Sequence, residues 1–256
     1  MEFRISNENN VGTNADDVIQ NQIEQSLGVI IVKWINPERR KYGRYILMGM
    51  GYIGREYEDI NSRLVVDELE AINVFAEYGF EKVHEHLYNR SGKRYGYRLD
   101  VSDERLGSTS EYVKQLLFYR SYYRFKSRPD DNLNVQTVLG HSTDDVLGDN
   151  AFTLDYRGDL RGYDRDRFQG NSMLLINMEY LHTFGRYPTL RYVYFLDMGN
   201  TYDEIEQMFH QPLNIGVGAG IRWKIPAFVR VDLRLDFAYG VTDSDWFTSF
   251  GTRYLF

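Results

Sequence analysis

The sequence contains no cysteine, so neither a disulfide framework nor thiolate chemistry is available to it. Proline occurs only five times, and long strands are therefore seldom interrupted. No run of about eighteen apolar residues occurs, which excludes a transmembrane helix. It does not exclude a membrane. A transmembrane β-barrel hides its lipid-facing residues at every second position, and a mean hydropathy of −0.50 is compatible with that. A basic excess is also missing: the net charge is −7, which argues against nucleic-acid binding, because phosphates would go unneutralised. The opening MEFRISNENNVGTNADDVIQNQIEQ lacks the basic segment, apolar stretch and small-residue cleavage site of a signal peptide. For a chain bound for an outer membrane, a mature form or a fragment is then expected.

Aromatic residues are abundant. Twenty-one tyrosines and fifteen phenylalanines fit a strand-dominated chain with aromatic belts at two interfaces. The clearest periodicity lies in the last third. In FVRVDLRLDFAY, Val229, Val231, Leu233, Leu235, Phe237 and Tyr239 share one face, and Arg230, Asp232, Arg234, Asp236 and Ala238 the other. In LNIGVGAGIRWKIP an apolar row from Leu213 to Ile225 opposes Asn214, three glycines, Arg222 and Lys224. In the last segment Trp246, Thr248, Phe250, Thr252, Tyr254 and Phe256 align against Ser249, Gly251 and Arg253. A soluble sandwich also alternates. These faces, however, persist for about ten to thirteen residues, near the span of a tilted membrane strand and beyond the five or six usual in soluble sheets.

Weaker alternation upstream, at 46–52, 72–80 and seven further segments including 27–36 and 83–88, brings the total to about twelve strands. The expected fold is all-β, an antiparallel transmembrane β-barrel over residues 27–256, with 1–26 as a partial strand and polar loop. The longest connection, about 141–170, is expected to be functional, since structureless loops of that length are uncommon in compact domains.

That connection contains LRGYDRDRFQGN. Leu160, Arg161, Gly162 and Tyr163, then Arg167, Phe168, Gly170 and Asn171, then the strand NMEYLHTF, resemble the signature of the BamA/TamA superfamily of outer-membrane assembly barrels. FLDMG, with Phe195, Asp197 and Gly199, resembles the element which that family carries on the strand after the motif. Terminal Phe256 resembles the aromatic by which outer-membrane barrels are recognised for insertion. The resemblance implies a lumenal loop whose Arg161 meets Asp197 on the barrel wall. By parity, Phe195 and Gly199 share the face of Asp197, and Glu179 is a candidate second acceptor beside Asn177. A guanidinium donates two parallel hydrogen bonds to one carboxylate, a fork lysine cannot reproduce. These residues are expected to form a latch and not a catalytic site.

The family implies a bacterial outer-membrane location, outer-membrane lipid, client outer-membrane or secreted proteins, and periplasmic accessory subunits. It implies no cofactor. Family barrels have about sixteen strands, within the range of bacterial barrels, so a truncated carboxyl-terminal copy is expected here. The alternatives are a passive pore or membrane anchor, such as the barrel of a patatin-like lipase, and an integral lipid hydrolase. His84 and His86 have no evident third metal ligand. Neighbouring His141 and Ser142 point to opposite faces of a strand, poorly placed for proton transfer. No Gly-x-Ser-x-Gly elbow, P-loop or zinc-protease motif occurs.

Overall fold

The computed structural model describes residues 2–13, 19–36, 42–59, 65–86, 89–154, 159–164, 167–185, 187–225 and 231–252. The strands are β1 (Glu2–Thr13), β2 (Ile19–Ile35), β3 (Gly43–Asp59), β4 (Val65–Glu85), β5 (Arg90–Ser102), β6 (Tyr112–Arg124) and β7 (Asn132–Ser142). Next come β8 (Phe152–Leu154), β9 (Phe168–Gly170), β10 (Ser172–Phe184), β11 (Tyr187–Tyr202), β12 (Asn214–Ile225), β13 (Val231–Gly240) and β14 (Asp245–Gly251). Twelve of them form one antiparallel meander in chain order, β7 pairing with β10, while β8 and β9 pair with each other inside the intervening loop. Among the described residues no ladder joins β1 to β14, the two ends of that order.

The polarity of this sheet is inverted relative to a water-soluble fold. Along β7 and β10 burial alternates, and the buried positions include Asn132, Asn134, Gln136, Asn177 and Glu179. Met48, Leu117, Tyr194, Trp223 and Phe237 lie exposed on the other face. Polar groups inside and apolar groups outside are stable only when the outside is lipid.

The sheet is rolled around the connection between β7 and β10. That loop meets β3 through Arg55, β6 through Lys114, and β10, β11 and β13 through Glu179, Asp197 and Asp236. Contacts with strands so far apart in the order require curvature towards one side. Leu154, Leu160, Tyr163 and Phe168 of the loop pack with Phe118, Val138 and Leu175 of the wall. A second lumenal cluster joins Leu181, Val193, Phe195 and Ala238. β2–β3, β4–β5 and β6–β7 are joined at one end, and β5–β6, β7–β10, β11–β12 and β13–β14 at the other, where the longest connections lie. Barrels of this kind keep short turns on the periplasmic side and longer loops outside, which orients the molecule.

Two boundaries differ from expectation. The strand expected at 83–88 is the end of β4, which runs unbroken to Glu85, because nothing between Lys82 and Val83 has turn chemistry. Residues 1–26, expected as a partial strand and polar loop, carry the whole of β1 and the start of β2, paired from Glu2↔Ile30 to Thr13↔Ile19. Their Asn- and Gln-rich composition carries little apolar alternation, so the extent of the strand was not legible. Phe256 lies outside the described residues.

Candidate functional site

The site is built where the tip of the long loop meets the inner wall of β10–β13. Arg161 is only 1% exposed. Its Nε donates to Asp197 Oδ2 at 2.6 Å and its Nη2 to Asp197 Oδ1 at 2.8 Å, the two-pronged geometry of a guanidinium on one carboxylate. The Arg161 backbone N–H reaches the same carboxylate at 3.3 Å. Nη1 donates to Glu179 Oε1 at 2.8 Å and to Asp236 Oδ2 at 3.4 Å. Phe195 lies beneath, its ring centroid 3.5 Å from the guanidinium carbon.

The parity of the strands explains why these groups converge. Phe195 and Asp197 are two apart on β11 and face inward together, while Asn177 and Glu179 do the same on neighbouring β10, in register Asn177↔Asp197 and Glu179↔Phe195. Asn177 Nδ2 donates to Asp197 at 2.9 Å and to the Asp159 carbonyl at 2.6 Å, tying wall to loop. On β12 and β13, Arg222 donates to Glu179 at 3.0 Å and to Asp236, and Arg234 lies 3.6 Å from Asp236. Arg161, Arg222 and Arg234 thus face Glu179, Asp197 and Asp236, three charges of each sign within this network. Burial works against the charge of Arg161, and Asp197, Glu179 and Asp236 outweigh it, holding its pKa above the usual arginine value.

The rest of the motif seats the tip. Gly162 has φ +96°, a left-handed conformation that favours glycine, and it lies against the backbone of Gly240. A side chain at Gly216 would strike the Arg161 carbonyl, and one at Gly240 the Gly162 carbonyl, so these wall glycines permit contact of backbone with backbone. The Tyr163 hydroxyl donates to the Ile215 carbonyl at 2.8 Å, and its ring meets Phe168 edge-on at 5.2 Å. Arg167 pairs with Asp243 and stands over Tyr163 and Phe168. Leu160 is buried among Leu154 and Leu175. Gly170 lies against the Tyr202 backbone, and a Cβ on Gly199 would sit 3.2 Å from Leu154. Asn171 shapes the return into β10, bonding Asp145 at 2.7 Å and the Ala151 N–H at 2.9 Å.

Sequence reasoning missed Arg222, Arg234 and Asp236 as members of the site, along with Gly216 and Gly240. Their alternation placed them on the inner face but was read only as a polar lining. Among the described residues no group of His, Cys, Asp and Glu converges as a metal site. His86 meets Ser91 at 2.8 Å, His141 meets Ser172 at 2.9 Å, and Ser142 donates to the Asp144 carbonyl.

A rolled antiparallel sheet with lipid-compatible residues outside, buried charges inside and a loop docked in its lumen defines the class: a bacterial outer-membrane β-barrel. Residues 80–248 match the family profile of the Omp85 superfamily domain. The chain belongs to the Omp85 superfamily, as the resemblance to BamA-type barrels implied. A related sequence, the outer membrane protein assembly factor BamA of Nitratidesulfovibrio vulgaris, is 25% identical over 222 residues, covering 77% of this chain and 27% of that protein. Among solved structures, BamA from Haemophilus ducreyi lacking POTRA domains 1–3 superposes with a TM-score of 0.69 at 11% identity, covering 97% of this chain and 57% of that one. CdiB from Acinetobacter baumannii gives 0.64 at 14% identity, covering 91% and 42%. The chain therefore spans only part of the length of each.

Proposed function

We propose that this chain is the barrel portion of a factor that assists insertion or translocation of proteins at the outer membrane. Its partners on this reading are outer-membrane lipid, client outer-membrane or secreted proteins, and periplasmic accessory subunits, and it needs no catalytic residue. The observation that carries the reading is the burial of Arg161 in a charge-balanced lumenal network. A loop held by a guanidinium fork, two further carboxylates and glycine-to-glycine contact is a plug with a defined seat, which a passive pore has no need of. On this reading Arg161, Gly162 and Tyr163 are the latch, Asp197 is its anchor, Phe195, Gly199 and Glu179 complete the seat, and Leu160, Arg167, Phe168, Gly170 and Asn171 hold the loop around it. The superfamily membership, and a relative named as an assembly factor, point the same way.

The test is reconstitution of the full chain into phospholipid vesicles, followed by the folding rate of a separately added outer-membrane barrel. Faster client folding than in empty vesicles is expected, with the gain reduced by Asp197→Ala. A rate equal to that of empty vesicles overturns the proposal.

A further inference from the structure

On the outer wall, β4, β5 and β6 bring three rows of side chains into register. Tyr78, Tyr97 and Leu117 form the row nearest the middle of the strands, and Phe80, Tyr95 and Tyr119 the next. Lys82, Lys93 and Ser121 form the third, towards the short-turn end. Successive rows on one face lie about 6.8 Å apart, so over one row spacing the wall changes from tyrosines, a leucine and a phenylalanine to lysines.

The aromatic row is ordered: Phe80 stacks on Tyr95 at 5.3 Å and Tyr95 on Tyr119 at 6.4 Å. Lys93 is held over it, its ammonium 5.9 Å from the Phe80 centroid and 5.6 Å from that of Tyr95. Lys82 and Lys93 stand directly opposite each other in the ladder, both exposed. Neither forms an ion pair among the described residues, while nearby Glu81 and Glu85 are paired with Arg94 and Arg90. Exposed Arg44, opposite Phe80 on β3, adds a third cation. Adjacent like charges repel, and here they persist on a chain whose net charge is −7.

Two concavities follow the rows. One of about 530 Å³ is lined by Tyr78, Tyr95, Tyr97, Leu117 and the Gly79–Gly96 backbone, with Arg44 at its edge on β3. The other, of about 440 Å³, is lined by Lys82, Lys93, Ser91, Ser121 and Arg124, and the two meet at Phe80. Aromatic belts sit at headgroup depth, which puts the lysines at the level of lipid phosphates and the larger groove at the level of acyl chains.

We propose that this wall binds one anionic phospholipid of the inner leaflet, its phosphate on Lys82 and Lys93 and an acyl chain along the tyrosine-lined groove. The commitment to a lipid over free phosphate comes from the continuity of the cationic and apolar concavities. The inference rests on the barrel and its orientation and is independent of the lumenal latch, so failure of either proposal leaves the other standing.

The test is native mass spectrometry of the full chain, folded in a zwitterionic detergent, with equal amounts of phosphatidylglycerol and phosphatidylcholine. One retained phosphatidylglycerol is expected in preference to phosphatidylcholine. Lys82→Gln/Lys93→Gln is expected to lower its retention about tenfold, given the attraction of each basic residue to anionic lipid. Lys33→Gln/Lys126→Gln, the same change of charge at other exposed lysines, is expected to leave it intact. No preference in the unsubstituted chain, or an equal loss in both double variants, overturns the site. Displacement of the lipid by an equal concentration of glycerol phosphate overturns the acyl-chain half.

Discussion

At the scale of single residues, the network around Arg161 is sensitive because each member is buried and balanced. Removing one partner of a buried ion pair leaves a charge uncompensated and costs about 3–5 kcal/mol. Asp197→Ala is therefore expected to lower the temperature at which the folded barrel loses its fast mobility on a semi-native gel, and unchanged heat resistance would count against the latch. Arg161→Lys is expected to behave like the loss of Arg161, because an ammonium cannot span both Asp197 oxygens while also reaching Glu179. The wall glycines give a second, uncharged test. Gly216→Ala drives a methyl into the Arg161 carbonyl, an overpacking of about 1–3 kcal/mol. Faster tryptic cleavage at Arg161 or Arg167 is expected, with the sheet itself intact by circular dichroism. Arg161 and Asp197 were legible because each sits within a recognisable motif. Arg222 and Asp236 were not, because alternation tells which face a side chain occupies and not which side chain lies opposite.

At the scale of elements, the turn 125–131 between β6 and β7 is locked to its neighbours. Asp131 accepts from the Tyr180 hydroxyl at 2.9 Å, from the Thr183 N–H at 3.0 Å and contacts His182 Nδ1 at 2.9 Å, while Arg128 lies 3.9 Å away. The Pro129 carbonyl accepts from Asn89 and Arg124. Burial opposes ionisation of Asp131, but the bonds from Thr183, His182 and Tyr180 prevail and hold its carboxyl below the usual aspartate range. A depressed carboxyl contributes stability that is fully present above its unfolded value, about 3.9, and is lost as pH falls through the lower folded value. Hydrogen exchange at the amides of β10 near Thr183 is accordingly expected to accelerate below about pH 4. In Asp131→Asn that acid-induced step should be missing; its persistence would assign it to other carboxylates. The strands themselves were largely legible, but the role of this turn was not, since KSRPDDN reads only as a polar connection until β10 is brought beside it.

At the scale of the whole molecule, the lumen is occupied by the chain's own loop, seated at its tip by the Arg161 network and nearer its start by Arg55 on Leu147 and Asp149 and by Lys114 on Ala151. In planar bilayers the chain is expected to give small, fluctuating currents. The double variant Arg161→Ala/Asp197→Ala is expected to give larger and steadier ones as the plug leaves its seat. Large, steady currents from the unsubstituted chain would favour the passive-pore reading.

The sequence by itself determined the period-two alternation, hence which face of most strands is inner and which outer, and it carried the motif that marks the superfamily. These are properties of residues near one another in the chain, and strand parity needs no partner to be read. Only the tertiary structure decided which charges meet. Arg161 reaches across 36 positions to Asp197 and 75 to Asp236, and those separations close only when the sheet has rolled and the loop has turned back into it. The same holds for the outer wall, where Lys82, Phe80 and Tyr95 were ordinary alternating residues until the ladders set their rows side by side.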